Sequence, residues 1–155
     1  MTHTHKPGRM IFEHAINQGD VESKAFPEAS GQSFKSGQLV YLVGGLVTVC
    51  GDNLTSVYGI AETDATGTAS TTDTIVVTPI RIGDVFEMRV LAAETPAYTM
   101  RGLKYSVHQV SNVSRVHTAD QTTPAVVILD TVDTTAGGRV LVTFIPTVLQ
   151  LHYGA

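Results

Sequence analysis

The fold of this chain is decided in residues 38–50, which read QLVYLVGGLVTVC. Two apolar runs of strand length flank Gly44-Gly45, and paired glycines can adopt the positive φ angles of a tight hairpin. β-Branched residues fit a pleated sheet better than a helix. The chain of 155 residues contains 20 Val, 21 Thr and 8 Ile. The sequence therefore predicts an all-β fold.

Short segments with the same signals continue towards the C-terminus. Gly59 lies inside one of them, which predicts a β-bulge or a close approach of two backbones. Continuous apolar character at 125–129 predicts a strand buried on both faces, whereas alternation at 85–90 predicts a half-solvated strand with Glu87 and Arg89 outward. The predicted strands are 56–61, 74–79, 85–90, 104–110 (continued by 113–117 after a break), 125–129, 139–145 and 148–153.

The number and length of these strands limit the architecture. About eight to ten short strands indicate a small β-barrel or a β-sandwich/jelly-roll-like domain. The composition changes near Ser36, because the preceding residues are mostly polar and carry the loop signals Phe26-Pro27 and Ser30-Gly31. We therefore expect an extended N-terminal arm and loop over residues 1–36 and a single β-rich domain over residues 37–155.

Charge and cysteine content exclude several classes of protein. The net charge is −4 and only 15% of residues are charged, which disfavours a nucleic-acid binder with a basic face. We expect no transmembrane helix, because no apolar run is long enough, and no signal peptide, because the N-terminus is polar. Cys50 is the single cysteine, and its apolar context predicts a buried, inert thiol.

Catalytic and metal-binding patterns in the sequence are weak. His108 and His117 could join Asp130 or Asp133 in a dispersed Ser-His-Asp triad, but such residues occur in most chains. The His3-x-His5 pair lies in the polar arm, which supplies no further side chains to hold the imidazoles in a fixed geometry for a metal. The sequence therefore predicts no enzyme, no cofactor and no metal site.

Three segments carry a resemblance to a known family. They are Phe34–Leu42 followed by Gly45-Leu46-Val47, then Tyr58–Ala61 leading into an Ala/Thr/Gly-rich loop, and Ile82–Met88. Together they combine a glycine turn, a Leu-Val-Tyr-Leu strand, a Gly-Ile-Ala strand and a Gly-Asp-x-Phe strand. This pattern resembles the head decoration (cement) proteins of tailed bacteriophages.

The resemblance implies a structural function without catalysis or cofactor. Proteins of this family are usually trimers on the outer surface of the virion's capsid, where they tie neighbouring major capsid proteins together. The expected partners are therefore the major capsid protein and further copies of this chain, with no nucleic acid and no membrane. We expect residues 1–20 to clamp the capsid through Arg9, Met10, Ile11, Phe12 and Ile16.

Two alternatives stay open at the level of the sequence. One is another virion-surface or tail-associated β-rich module that contacts a receptor or carbohydrate through the loops at 62–73 and 94–103. These loops contain few of the Tyr, Trp and Arg residues that dominate binding energy. The other alternative is a small β-barrel enzyme with sites at subunit junctions, which would need a convergent set of perturbed titratable groups.

Overall fold

The computed structural model describes the backbone of residues 11–12 and all atoms of residues 23–65 and 73–150. This part of the chain contains eleven β-strands and two 3₁₀ turns, so the all-β prediction is confirmed. The strands are β1 (Ile11–Phe12), β2 (Lys24–Pro27), β3 (Leu39–Val43), β4 (Leu46–Val49), β5 (Gly59–Ala61), β6 (Thr74–Pro79), β7 (Phe86–Val90), β8 (Lys104–Val110), β9 (Val113–His117), β10 (Val126–Thr131) and β11 (Arg139–Phe144). The 3₁₀ turns are Tyr98–Met100 and Pro146–Val148.

Five strands form a closed barrel in the order β7-β11-β10-β8-β9. The pairs along this order are antiparallel. The barrel closes where β9 pairs with β7 in parallel, with Arg89 opposite Arg115 and Val90 opposite Val116. Strand β1 is added to β7 beside this junction, with Phe12 opposite Phe86. The predicted β-barrel is therefore present.

A second, antiparallel sheet has the strand order β2-β6-β5-β3-β4. The hairpin between β3 and β4 turns at Gly44 and Gly45, whose φ angles are 57° and 82°. The structure therefore confirms the predicted hairpin. Glycine is favoured at both positions because residues with a Cβ rarely adopt these φ angles. A parallel bridge between Glu28 and Val47 connects the ends of this sheet.

The two sheets share one large hydrophobic cluster. Leu39, Val57 and Ile60 from the region of the second sheet contact buried residues of the barrel strands. Within the barrel, the rings of Phe86 and Phe144 meet edge to face with centroids 5.6 Å apart. This arrangement joins the hairpin of residues 38–50 to the barrel wall through apolar burial, which is the dominant stabilising contribution in a domain of this size.

The N-terminal boundary differs from the expected one. Residues 24–27 form β2 of the second sheet, and Phe34 is completely buried. Phe26 packs edge to face on Tyr58, with ring centroids 5.3 Å apart. Too few apolar residues precede Ser36 to show a period, so pairing with β6 rather than local pattern makes this segment a strand. Residues 1–10 and 13–22 of the expected arm lie outside the described residues.

Two predicted burial patterns need correction. Phe86, Met88 and Val90 are buried as predicted, but Glu87 is also buried and pairs with Arg139 at 3.5 Å. The strand at 125–129 is not buried on both faces, because Leu129 is 43% exposed. The outer face of β10 belongs to the exterior of the barrel. A run of apolar residues in the sequence does not show whether another part of the protein covers that face.

The predicted strand at 148–153 does not form in the described residues. Pro146 starts a 3₁₀ turn that ends at Val148, and only a single bridge between Leu149 and Val57 follows. Proline removes a backbone donor from a ladder, which favours a turn at this position. Residues 151–153 lie outside the described residues.

We expect Gly59→Ala to destabilise the second sheet. A Cβ at position 59 would lie 2.3 Å from the Thr78 carbonyl oxygen and 2.7 Å from Val77 Cγ1, so the backbones approach closely as the sequence predicts. Overpacking of this kind typically costs about 1–3 kcal/mol. Urea unfolding of Gly59→Ala beside Gly51→Ala, whose Cβ would meet open space, measures the effect. Equal stability of the two variants would contradict this account.

The buried carboxyl group of Asp84 should make the free energy of unfolding depend on pH. Its carboxyl group is completely buried, and desolvation raises its pKa, partly opposed by the Arg81 N–H that donates to it at 2.8 Å. The folded state therefore binds this proton more tightly than the unfolded state, and stability falls as pH rises through the folded pKa. In urea unfolding at a series of pH values, Asp84→Asn should reduce this slope. Burial also raises the pKa of Glu28, so this carboxyl group should account for part of the pH dependence that remains in Asp84→Asn.

Candidate functional site

The dispersed triad considered from the sequence does not assemble. The carboxylate of Asp130 pairs with Arg101 at 2.7 Å, and that of Asp133 pairs with Arg139 at 2.6 Å. The Thr131 N–H and then Arg101 lower the pKa of Asp130, and Arg139 lowers the pKa of Asp133. Both aspartates therefore serve ion pairs on the barrel and are not partners of the histidines.

His108 and His117 are brought together by the β8–β9 hairpin. The residues at 113–117 do not continue β8 but reverse direction at Ser111 and Asn112, whose φ angles are 50° and 64°. The register sets His108 opposite Arg115, so that His117, two residues further on, lies diagonally next to His108 on one face. The alternate residues Val107 and Val116 are buried.

The two imidazoles form the centre of a compact polar cluster with Asp120. His117 Nδ1 lies 3.0 Å from His108 Nε2, and the rings are nearly perpendicular with centroids 4.3 Å apart. Asp120 Oδ2 lies 3.7 Å from His108 Nε2 and 4.0 Å from His117 Nδ1. The three side chains are 16–25% exposed, so the cluster is enclosed but reachable from solvent.

A second carboxylate, Glu94, lies next to one of the histidines on the side away from this cluster. Its Oε1 lies 3.3 Å from His117 Nε2, and its Oε2 accepts hydrogen bonds from the N–H and hydroxyl of Thr118 at 2.7 and 2.8 Å. Glu94 follows β7, and its carbonyl accepts from the Gly137 N–H at 2.7 Å. Sequence reasoning missed Glu94 and Asp120, because neither belongs to a recognisable motif with the histidines.

Asp120 is held as a carboxylate by its own turn. The hydroxyl and N–H of Thr122 donate to Asp120 Oδ1 at 2.6 and 2.8 Å. These hydrogen bonds are the main reason that the pKa of Asp120 is lowered to about 2. The charge is therefore present at neutral pH, and Oδ2 is the oxygen that faces the imidazoles.

A different surface of the barrel carries exposed apolar side chains, which we call the β10 patch. It consists of Tyr98, Leu103, Leu129 and Val132, each 42–62% exposed. The backbone places Leu103 beside β10, because the Ile128 N–H donates to the Leu103 carbonyl at 3.1 Å. Four of the eight large apolar side chains exposed in the described residues belong to this patch.

Arg101 connects the β10 patch to the strand beneath it. Its guanidinium lies 4.9 Å from the centroid of the Tyr98 ring and pairs with Asp130 of β10. A guanidinium over an aromatic ring is favourable and restricts both side chains. The patch therefore places Tyr98 beside Arg101, two residue types enriched at binding hot spots, next to exposed aliphatic residues, and part of it lies on the 94–103 loop.

The expected capsid-binding residues are described only in part. Arg9, Met10 and Ile16 lie outside the described residues, and so do His3, His5 and His14. For Ile11 and Phe12 the backbone forms β1 and pairs with β7. Their role in binding a capsid stays a prediction.

The single cysteine behaves as its sequence context predicts. Cys50 is 2% exposed, and burial raises the pKa of its thiol, which disfavours the reactive thiolate. Its Sγ donates to the Ser56 carbonyl at 3.4 Å.

Comparison of the chain with protein-family models and with curated proteins found no match. Within the described part of the chain, no helix is both long enough and apolar enough to cross a lipid bilayer.

Proposed function

We propose that this protein is a structural decoration (cement) protein of a bacteriophage head. It binds the outer surface of the capsid as a homotrimer and stabilises contacts between major capsid proteins. The three segments that resemble this family supply the β3–β4 hairpin, strand β5 and most of strand β7. The resemblance therefore concerns the strands that build both sheets, and the function requires no chemical turnover.

The β10 patch is the observation that carries this proposal. A small closed barrel with sparse charge has few ways to bind a partner tightly, and an apolar surface containing Tyr98, Arg101 and Leu129 is one of them. In a cyclic trimer each interface is heterologous, so that the patch of one copy would pack against a different surface of the next copy. We assign the patch to contacts between copies of this chain.

The proposed partners agree with the electrostatics of the chain. A net charge of −4 gives no basic face for nucleic acid, and association through apolar contacts tolerates such a charge. Each contact with the capsid can be weak, because a trimer engages several capsid subunits at once and the contacts gain from avidity.

Leu129→Glu should dissociate the trimer. A carboxylate at the centre of a buried apolar interface loses its hydration without gaining a partner, which is strongly unfavourable. Light scattering after size exclusion should report three times the 16.5 kDa chain mass for the parent protein and a single chain mass for the variant. Val43→Glu is the matched control, because Val43 is 54% exposed at the β3–β4 hairpin, away from the patch. A monomeric parent, or a trimeric Leu129→Glu variant, would contradict the assignment.

Deletion of residues 1–20 should weaken binding to expanded phage heads without unfolding the barrel. The arm is then absent from the contact with the capsid. The deletion also removes β1 and its two residue pairs with β7, whereas the sheets from residue 23 onward keep their buried core. Co-sedimentation with heads measures binding, and the thermal melting temperature reports the fold. Undiminished binding by the truncated protein would refute the role of the arm.

A further inference from the structure

We propose that His108, His117 and Asp120 bind a divalent transition-metal ion, Zn²⁺ or an ion of similar coordination chemistry. His108 Nε2, His117 Nδ1 and Asp120 Oδ2 all lie within 4.8 Å of one another. Two imidazole nitrogens and one carboxylate oxygen are a common donor set for Zn²⁺, which accepts a water as its fourth ligand. This inference goes beyond the proposed decoration function and does not depend on it.

The distances between the three donor atoms fit a metal without rearrangement of the backbone. The triangle has edges of 3.0, 3.7 and 4.0 Å. A point equidistant from its three corners lies about 2.1 Å from each, which is the usual length of Zn–N and Zn–O bonds. An ion at this position would therefore contact all three donors at once, and a small displacement towards solvent leaves room for a water.

The surroundings of His117 select the correct nitrogen for a metal. Glu94 Oε1 lies 3.3 Å from Nε2, and a carboxylate at this distance favours a proton on Nε2 over one on Nδ1, which faces the cluster. In metal sites a carboxylate next to the second nitrogen of a ligating histidine commonly orients the ring and raises its basicity. Glu94 is in turn held by Thr118.

The Asp120 side chain is also oriented before any ion binds. Thr122 occupies Oδ1 with two hydrogen bonds, so that Oδ2 remains for the metal. The carboxylates of Asp120 and Glu94 would partly neutralise the charge of the ion. Bound there, it would connect β8, β9 and the turn that follows them, and through Glu94 also the segment after β7.

The competing interpretation is a plain hydrogen bond between the two imidazoles, which a separation of 3.0 Å also permits. In that interpretation Asp120 and Glu94 are ion-pair partners of whichever histidine carries a proton. The metal interpretation differs from it in one respect: it requires the three donor atoms to bind one ion together. Titration with metal distinguishes the two interpretations.

Isothermal titration of the full-length chain with Zn²⁺ at neutral pH tests the proposal. The test uses a background in which glutamine replaces the four other histidines of the chain, so that the arm cannot contribute ligands: His3, His5, His14 and His152. We expect one ion per chain in this background. Asp120→Asn, which keeps an acceptor for Thr122, and His117→Gln should abolish or strongly weaken binding. Glu94→Gln should weaken it by about 10–100-fold.

Imidazole ¹⁵N spectra supply a readout that a structural role alone would not change. On addition of Zn²⁺, His117 Nδ1 and His108 Nε2 should shift, while His117 Nε2 keeps its proton. The variants should retain their melting temperatures in the absence of metal within a few degrees, which separates loss of a ligand from loss of the fold. The proposal is wrong if the background protein binds no Zn²⁺, or if it binds Zn²⁺ as tightly after Asp120→Asn and His117→Gln.

Discussion

The parallel pairing of β7 with β9 is the constraint on which the rest of this structure depends. Only two residue pairs form it, yet the Leu91 N–H donates to the Val116 carbonyl at 3.0 Å, and Arg115 reaches the Val90 carbonyl at 3.2 Å. This junction converts a five-stranded sheet into a barrel, so that β7 and β9 hydrogen-bond each other instead of ending as open edges. Closure also enforces burial of the inward residues of every barrel strand.

Closure has a second consequence on the outside of the barrel. The segment that leaves β7 must pass the end of β9, and this route places Glu94 beside Thr118 and His117. The polar cluster therefore lies at the seam where the barrel is joined, which is the place where an additional crosslink would add most to its integrity. A metal ion there would stabilise the seam with few residues.

The β10 patch and the polar cluster are both supported by rigid strands, but they present different chemistry. The patch offers Leu129 and Tyr98 beside the Arg101–Asp130 ion pair, which suits association with copies of the same chain. The cluster offers nitrogen and oxygen donors that are mostly enclosed. In a decoration protein, the β10 patch would hold the oligomer together and the polar cluster would stabilise each subunit. The barrel would then resist opening when the shell is under mechanical load.

The sequence alone determined several of the strands and tight turns, because alternation and glycine act locally. The bounds of β6, β8 and β9 match the prediction, and so do the Gly44-Gly45 hairpin and the close backbone approach at Gly59. Only the tertiary structure decided which strands pair, that Leu129 faces solvent, and that Glu94 meets His117. These features depend on closure between segments distant in sequence, and neither periodicity nor residue type encodes the partner of a strand.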